Sequence, residues 1–448
     1  MASDLSQGAI STWLYRLTAP MVLGILSIFL FNLVDTYFIS LLGTEPLAAV
    51  SFTFPVTMLI MNLAIGLSIA TGAVVARSLG KKQVEEARNW VTASLYLSLI
   101  LGLIMATIGI TTQNLVFRWL GAGEHLLGMI SDYMTWWYAG SVLLIVLVIV
   151  NASIRASGNT KLPSLIMLGS SAINGILDPL LIFGLGPFPE LGIKGAAIAT
   201  AISWGVAFIF VLKHLLDKDL ITLKVPEALT HQWYQLTKLG IPAALTNMLG
   251  PIANGIMVAW VAQYGTHAVA AYGVGSRIEP LAMIVIMAFT ASLPPFVGQN
   301  HGAGEDSRIE QALMKSMQFL FVWQIIVYGL LVIFAQPISS IFSSDLAVQS
   351  IIQTFLYVVP LTYFAMGFTL VTTATLNALH KTQLSLGLNL LRLFIIYLPC
   401  AWLGQHFGGL TGLFYGCAAG NLIMGLIVLT LFIRTKNNQK IRQRLLNT

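Results

Sequence analysis

The sequence has few charged residues, which make up 9% of its 448 positions. A soluble globular domain carries about 25%, so this shortage excludes an ordinary soluble protein. Cysteine is also scarce: Cys400 and Cys417 both lie in apolar runs and form no CxxC pair, so neither a disulfide framework nor a thiolate metal site is expected. The HExxH and GxSxG motifs are absent, which makes an intramembrane enzyme the weakest alternative.

Long apolar runs dominate the chain, and hydrophobic residues make up 57% of it. Each membrane crossing by a helix needs about 20 apolar residues. The runs between polar breaks therefore predict an all-α integral membrane protein with twelve spans. They cover residues 14–40, 46–76, 90–112, 126–153, 162–184, 192–216, 236–263, 266–299, 312–334, 348–377, 383–404 and 409–433.

The distribution of basic residues predicts the orientation in the membrane. Segments on the side of the termini hold nineteen Lys and Arg residues, whereas the opposite loops hold two, Arg118 and Lys194. Because cytoplasmic segments collect Lys and Arg, both termini are expected in the cytoplasm. The net charge of +6 is thus a topology signal and does not indicate nucleic-acid binding.

Two sequence halves repeat each other. A shift of 222 residues places Pro20 on Pro242 and Gly80 on Gly302. Each half has an even number of spans, so the repeats run parallel, an arrangement found in transporters that alternate access. The predicted organisation is an amino-terminal lobe, a cytoplasmic linker, a carboxy-terminal lobe and a basic tail, over residues 1–216, 217–235, 236–434 and 435–448.

Two carboxylic acids lie inside predicted spans of the first half, Asp35 and Asp178. A charge at bilayer depth costs about 2.5–3.5 kcal/mol on insertion scales, so such residues usually face a bundle interior or a watery cavity. There they handle ions, protons or substrates. The alternative is that each acid only makes hydrogen bonds that fix helix packing, in the case of Asp35 with Asn32, Thr36 or a neighbouring helix.

Further oxygen-bearing side chains are expected around Asp178. Asn174 precedes it by four residues and so shares its helix face, and Pro179 frees the carbonyl group of the preceding turn. Thr200 and Asn151, from two other spans, are candidates to face the same space. The sequence leaves open whether the group carries a proton or holds a sodium ion, with Asp35, Asn174, Asp178 and Thr200 as the sodium ligands.

The first span contains Pro20, which interrupts its backbone hydrogen bonds and marks a candidate bend. The second half does not repeat the acidic pair, because Met257 and Cys400 occupy the equivalent positions. Its intramembrane charges are Arg277, Glu279 and Arg392, which we interpret as structural or gating groups.

Several motifs resemble the multidrug and toxic compound extrusion (MATE) family, and the resemblance covers nearly the whole chain. They are NLVDTYFISLLGTEPLAAVS, ATGAVVARSLGKKQVEEA, ASIRASGNTKLP and INGILDPLLIFG. Within the family the chain resembles the DinF-like bacterial branch, since its acids lie in the first half. The resemblance implies a pair of six-helix lobes that exports cationic or amphipathic drugs by antiport with H⁺ or Na⁺. It also implies a cation and proton network of Asp35, Asn174, Asp178, Thr200 and Asn151, and a bend at Pro20 coupled to protonation of Asp35.

The expected protein is therefore a monomeric exporter of the bacterial inner membrane that needs no cofactor and is not an enzyme. Protons are the favoured coupling ion, with sodium as the alternative. A flippase for lipid-linked saccharides is a second transport alternative, but it would need basic residues lining the cavity for a pyrophosphate, and only Arg277 and Arg392 are available there.

Overall fold

A computed structural model describes residues 3–222 and 224–446, with side chains described to residue 434. The basic tail predicted over residues 435–448 therefore lies outside the described side chains. Over the described residues the chain is helical and contains no β-strand. Its α-helices are α1 (Ile10–Leu41), α2 (Thr44–Gly80), α3 (Val84–Trp119), α4 (Glu124–Ala156), α5 (Lys161–Ile182), α6 (Gly192–Asp217), α7 (Leu229–Ala262), α8 (Thr266–Ala282), α9 (Ile284–Gly302), α10 (Asp306–Ile333), α11 (Ala335–Phe342), α12 (Leu346–Val358), α13 (Tyr363–Ala378), α14 (Thr382–Leu390) and α15 (Leu398–Leu446). A 3-10 turn (Pro360–Thr362) precedes α13, and a π-helical segment (Leu391–Tyr397) joins α14 to α15.

Twelve spans account for these helices, as the sequence predicts. Helices α8 and α9 form one span bent by 44°, and residues 346–378 form another through the 3-10 turn. Residues 382–434 form an apolar stretch of 53 residues, which would be about 80 Å long as one helix. A bilayer core is about 30 Å thick, so this stretch provides two spans.

The last two spans turn at a pair of glycines. Gly409 has a φ of 59°, a left-handed conformation that glycine adopts readily. Beyond the turn the two segments pack with almost no side chain between them: a Cβ at Gly412 would collide with the backbone oxygen of Gly404, and a Cβ at Gly416 with that of Cys400. Small residues allow this close approach of helices within a membrane.

Contact clustering divides the chain into two compact units. The first compact unit is Met1–Gln7, Ala19–Leu245 and Pro294–Gly304, and the second is Gly8–Thr18, Thr246–Leu293 and Glu305–Thr448. The division therefore runs through α1, α7 and α9. The lobe and linker boundaries given above remain predictions.

Helix α4 is the centre of the first compact unit. It packs against α2, α3 and α6, and apolar residues such as Met134 and Ile149 are fully buried along it. Helix α5 packs against α6. A Cβ at Gly195 would collide with the backbone oxygen of Leu181, so this glycine lets the start of α6 lie directly on the end of α5.

The amino-terminal segment is fastened within the first compact unit. The backbone N–H of Leu5 donates to the Gln299 Oε1 at 3.0 Å, and Gln299 Nε2 donates to the backbone oxygen of Ala156 at 2.8 Å. Asn300 Nδ2 donates to the backbone oxygen of Leu5 at 3.1 Å. Leu5 and both amide side chains are buried. Gln299 therefore ties the chain start to the end of α4.

Candidate functional site

Three side chains of α5 and α6 form a buried polar cluster in the first compact unit. The amide of Asn174 has a partner for each atom when its nitrogen faces Asp178. In that orientation it donates to the Asp178 Oδ2 at 2.7 Å and accepts from the Thr200 hydroxyl at 3.1 Å and the Thr200 backbone N–H at 3.2 Å. Asp178 is 0% exposed. The predicted contact between Asn174 and Asp178 is thus present, and Thr200 is hydrogen-bonded to the same amide.

The end of α5 is irregular, as its prolines and glycines indicate. The helix continues past Pro179 and ends at Ile182, after which the N–H of Phe183 donates to the Pro179 carbonyl at 3.3 Å. Gly184 and Gly186 then take positive φ values of 67° and 72°. The chain leaves the helix within six residues of Asp178, which positions this carboxylate near the end of its span.

Asp35 lies on α1, and its charge interacts with that of the cluster. Its Oδ1 is buried and has no hydrogen-bond partner among the described residues, and its charge interacts with that of Asp178. Two of the partners considered for Asp35 bond elsewhere, because Asn32 Nδ2 donates to the Ile28 carbonyl at 2.8 Å and Thr36 Oγ1 to the Asn32 carbonyl at 2.7 Å. Both side chains bond to their own helix instead of to Asp35.

Asn151 and Pro20 lie outside the hydrogen-bonded cluster. Asn151 is buried on α4, and its side-chain oxygen has no partner among the described residues. Helix α1 continues unbroken through Pro20, whose carbonyl accepts a hydrogen bond from the Ser164 hydroxyl of α5 at 2.6 Å. A Cβ at Gly24, one turn further, would lie 3.0 Å from the Ser164 Oγ. This part of α1 is thus held closely against α5.

Tyr133 is a member of the site that the sequence does not predict. It is 7% exposed on α4, and its phenol interacts electrostatically with both Asp35 and Asp178. No motif marks it, since tyrosines are common near the ends of spans. Its neighbour Asp132 is exposed.

The chemistry available here is the exchange of a small cation. No group of three His, Cys, Asp or Glu side chains suited to a transition metal occurs in the described part of the chain. Asp178 has one amide donor, and Asp35 has an oxygen that no protein group satisfies. Because a buried unsatisfied acceptor is costly, Asp35 is the position in this cluster where a proton or a cation would be most favourable.

Comparison with known proteins supports the repeat. The MatE family profile matches residues 20–180 and 242–403, so its two matches begin 222 residues apart, the shift at which the halves align. The FAD transporter of Shewanella oneidensis is 40% identical over 419 residues, 92% of each chain. The multidrug export protein MepA of Staphylococcus aureus is 28% identical over 309 residues, 68% of each chain.

A solved structure matches the fold over almost the whole chain. It is the crystal structure of the Vibrio cholerae MATE transporter VcmN in the bent form, which is 34% identical. The match covers 96% of this chain and 98% of that one, with a TM-score of 0.92.

Proposed function

Because this chain belongs to the MatE family of membrane transporters and is not an enzyme, we propose that it is a secondary exporter driven by protons. The observation that carries this proposal is the pair of interacting acids, with Asp178 fully buried and Asp35 holding a buried oxygen that has no partner among the described residues. Acids enclosed in this way mark proton and ion pathways in membrane proteins.

Protons are favoured over sodium by the hydrogen bonds of the cluster. Hard cations bind through several oxygen atoms at once. Here the Asn174 oxygen already accepts from Thr200, and the Asn174 nitrogen, not its oxygen, faces Asp178. A sodium ion would require this amide to turn and break these contacts, whereas a proton on Asp35 requires no such change.

The proposed roles follow from the positions. Asp35 and Asp178 together exchange the proton, while Asn174 and Thr200 hold Asp178 in place. Asn151 is a further polar group of the pathway, and Pro20 is the point at which α1 bends when Asp35 is protonated. The hydrogen bond from Ser164 to the Pro20 carbonyl is then a contact that holds α1 in the straight form.

A flavin dinucleotide is the first candidate cargo, because the relative with 40% identity over 92% of both chains is named as a FAD transporter. Its pyrophosphate carries about two negative charges, so an inside-negative potential of 100 mV favours its export by about 4.6 kcal/mol. Cationic or amphipathic drugs are the second candidate, favoured by the similarity to the multidrug export protein MepA. The same potential opposes the export of a cation.

The expected setting is the bacterial inner membrane, with a monomeric chain whose termini are both cytoplasmic. Nineteen basic residues on the side of the termini against two on the other support this orientation. Cysteine labelling from one side of intact cells tests it, with single cysteines placed in the 217–235 segment and in the loop that holds Arg118. Labelling of the 217–235 position from outside would contradict it.

Transport in proteoliposomes tests the whole proposal. Vesicles loaded with FAD are diluted into buffer of lower pH, or into buffer with sodium at equal pH, and external FAD is measured by chromatography. We expect the pH gradient alone to accelerate export, and an inside-negative potassium diffusion potential to accelerate FAD export more than ethidium export. Response to sodium alone would contradict proton coupling, and export of ethidium but not FAD would identify drugs as the cargo.

Two aspartate-to-asparagine variants test whether export needs the carboxylate of the site or any carboxylate of this compact unit. Asp35→Asn is expected to abolish gradient-driven export. Asp132→Asn removes an exposed carboxylate of the same compact unit and is expected to retain it. Equal activity of the two variants would remove Asp35 from the coupling mechanism.

A further inference from the structure

The second compact unit contains a partly open cavity of about 240 Å³. Helices α7, α8, α12, α13 and α15 and the π-helical segment all contribute to its wall. Its charged side chains are Glu279 from α8 and Arg392 from the π-helical segment. None of the proposed proton network lines it, so it is a separate feature of the molecule.

Arg392 is the unusual member of this wall. It is 7% exposed, and its Nε is buried without a hydrogen-bond partner among the described residues. The π-helical segment that carries it also contributes Leu393 and Tyr397 to the cavity. Short π-helical segments frequently occur at functional sites. A buried guanidinium N–H without an acceptor is costly, so a group that offers an acceptor oxygen to the Arg392 Nε would be favourable in this cavity.

Glu279, in contrast, requires a hydrogen-bond donor from the ligand. Its Oε2 accepts a hydrogen bond from the Tyr363 hydroxyl at 3.3 Å, and it forms no direct ion pair with Arg392 within the described part of the chain. An anion that bound Arg392 would meet the carboxylate, and a cation that bound Glu279 would meet the guanidinium group. A neutral group with acceptor and donor atoms side by side satisfies both charged residues.

Aromatic rings form the remaining wall. Tyr272 and Phe355 both line the cavity and contact each other edge to face, with ring centroids 6.2 Å apart. Tyr272 is held by a hydrogen bond from its hydroxyl to Asn254 Oδ1 at 2.9 Å. Tyr363 and Tyr397 add two further rings. Walls of this composition suit a flat aromatic ligand.

We propose that this cavity binds the dione edge of a flavin ring, with its carbonyl oxygens accepting from Arg392 and its ring N–H donating to Glu279. This inference rests on the proposed flavin cargo and assigns a binding role to two residues that the sequence marks only as structural or gating groups. Pockets for drug-sized ligands measure about 300–1,000 Å³. A cavity of about 240 Å³ therefore takes the ring system and leaves the sugar phosphate chain outside.

Equilibrium binding to the purified full-length chain in detergent tests the site, with quenching of flavin fluorescence as the readout. The probes are riboflavin, FMN and riboflavin methylated at N3, which lacks the ring N–H donor. We expect riboflavin and FMN to bind the unmodified chain with similar affinity. Arg392→Gln and Glu279→Gln are each expected to weaken riboflavin binding at least tenfold.

The methylated probe identifies the partner of the ring N–H. It should bind the unmodified chain about tenfold more weakly than riboflavin does, and this difference should shrink in Glu279→Gln, whose neutral amide oxygen is a weaker acceptor than a carboxylate. Arg277→Gln removes an exposed positive charge of the same helix as Glu279 and serves as the matched control, with riboflavin binding unchanged. Gel filtration and thermal unfolding in detergent show whether each variant is folded.

The outcomes separate this site from the proposed function. Riboflavin affinity equal in the unmodified chain and in folded Arg392→Gln and Glu279→Gln would overturn the site, even if FAD export proceeds. Loss of binding in both variants would support it, even if export proves to be driven by sodium. An unmodified chain that exports ethidium and binds no flavin overturns both the flavin cargo and the site.

Discussion

Replacing Asn174 by Leu removes the one amide donor of Asp178 and is expected to slow transport by a predictable amount. Asp178 is 0% exposed and accepts from Asn174 at 2.7 Å. A hydrogen bond to a charged group contributes about 1.5–3 kcal/mol, so the charged form of Asp178 becomes less favourable by that amount. If proton release limits the cycle, the rate falls by about 10- to 150-fold, since 1.36 kcal/mol is a factor of ten.

The pH dependence distinguishes this effect from a simple loss of structure. Because the variant holds its proton more tightly, raising the pH on the side of release should restore most of the rate of Asn174→Leu. It should not restore Asp178→Asn, which has no proton to release. The measurement is initial export from proteoliposomes over a range of lumenal pH at a fixed gradient, with Asn114→Leu, an exposed amide of α3, as control. A folded Asn174→Leu variant with unmodified rates at every pH would refute the reasoning.

Three further substitutions test other parts of the molecule. Pro20→Ala should slow export at least severalfold by removing the bend point, whereas Pro55→Ala, inside α2, should not; equal rates would remove Pro20 from the cycle. Gly412→Leu should prevent accumulation of folded protein because the neighbouring span occupies the space, while Gly387→Leu, which meets nothing within 4 Å, should be tolerated. Gln299→Leu loses two buried hydrogen bonds of about 1 kcal/mol each and should lower the midpoint of thermal unfolding by several degrees; an unchanged midpoint would contradict the fastening role.

The spacing of residues along the chain is enough to predict part of the site around Asp178. The four-residue interval between Asn174 and Asp178 places both on one face of any regular helix, and the apolar runs mark the spans. These features depend on residues close together in the chain. They could be read from the sequence because helix geometry alone fixes them.

The rest depends on packing between distant segments. Asp35 and Asp178 are far apart in the chain, and their interaction requires α1 and α5 to meet through Gly24 and Ser164. Tyr133 reaches both acids only because α4 occupies the centre of its unit. No periodicity in the sequence indicates which distant helices pack against each other.

The cavity of the second unit was missed for the same reason. Glu279 and Arg392 lie in separate spans, and a π-helical segment changes the direction in which Arg392 points relative to a regular helix. A pattern search that assumes regular helices does not register this change.

The close packing of the last two spans also affects how the chain is made. Gly404 and Gly412 leave no room for side chains or lipid between the two segments. Each segment alone would therefore expose to the bilayer a groove that its partner normally fills. We expect them to leave the translocon together as a hairpin. A chain that ends just after Gly409 would then expose a grooved helix to chaperones and membrane proteases, so quality control of this protein should act on its last two spans.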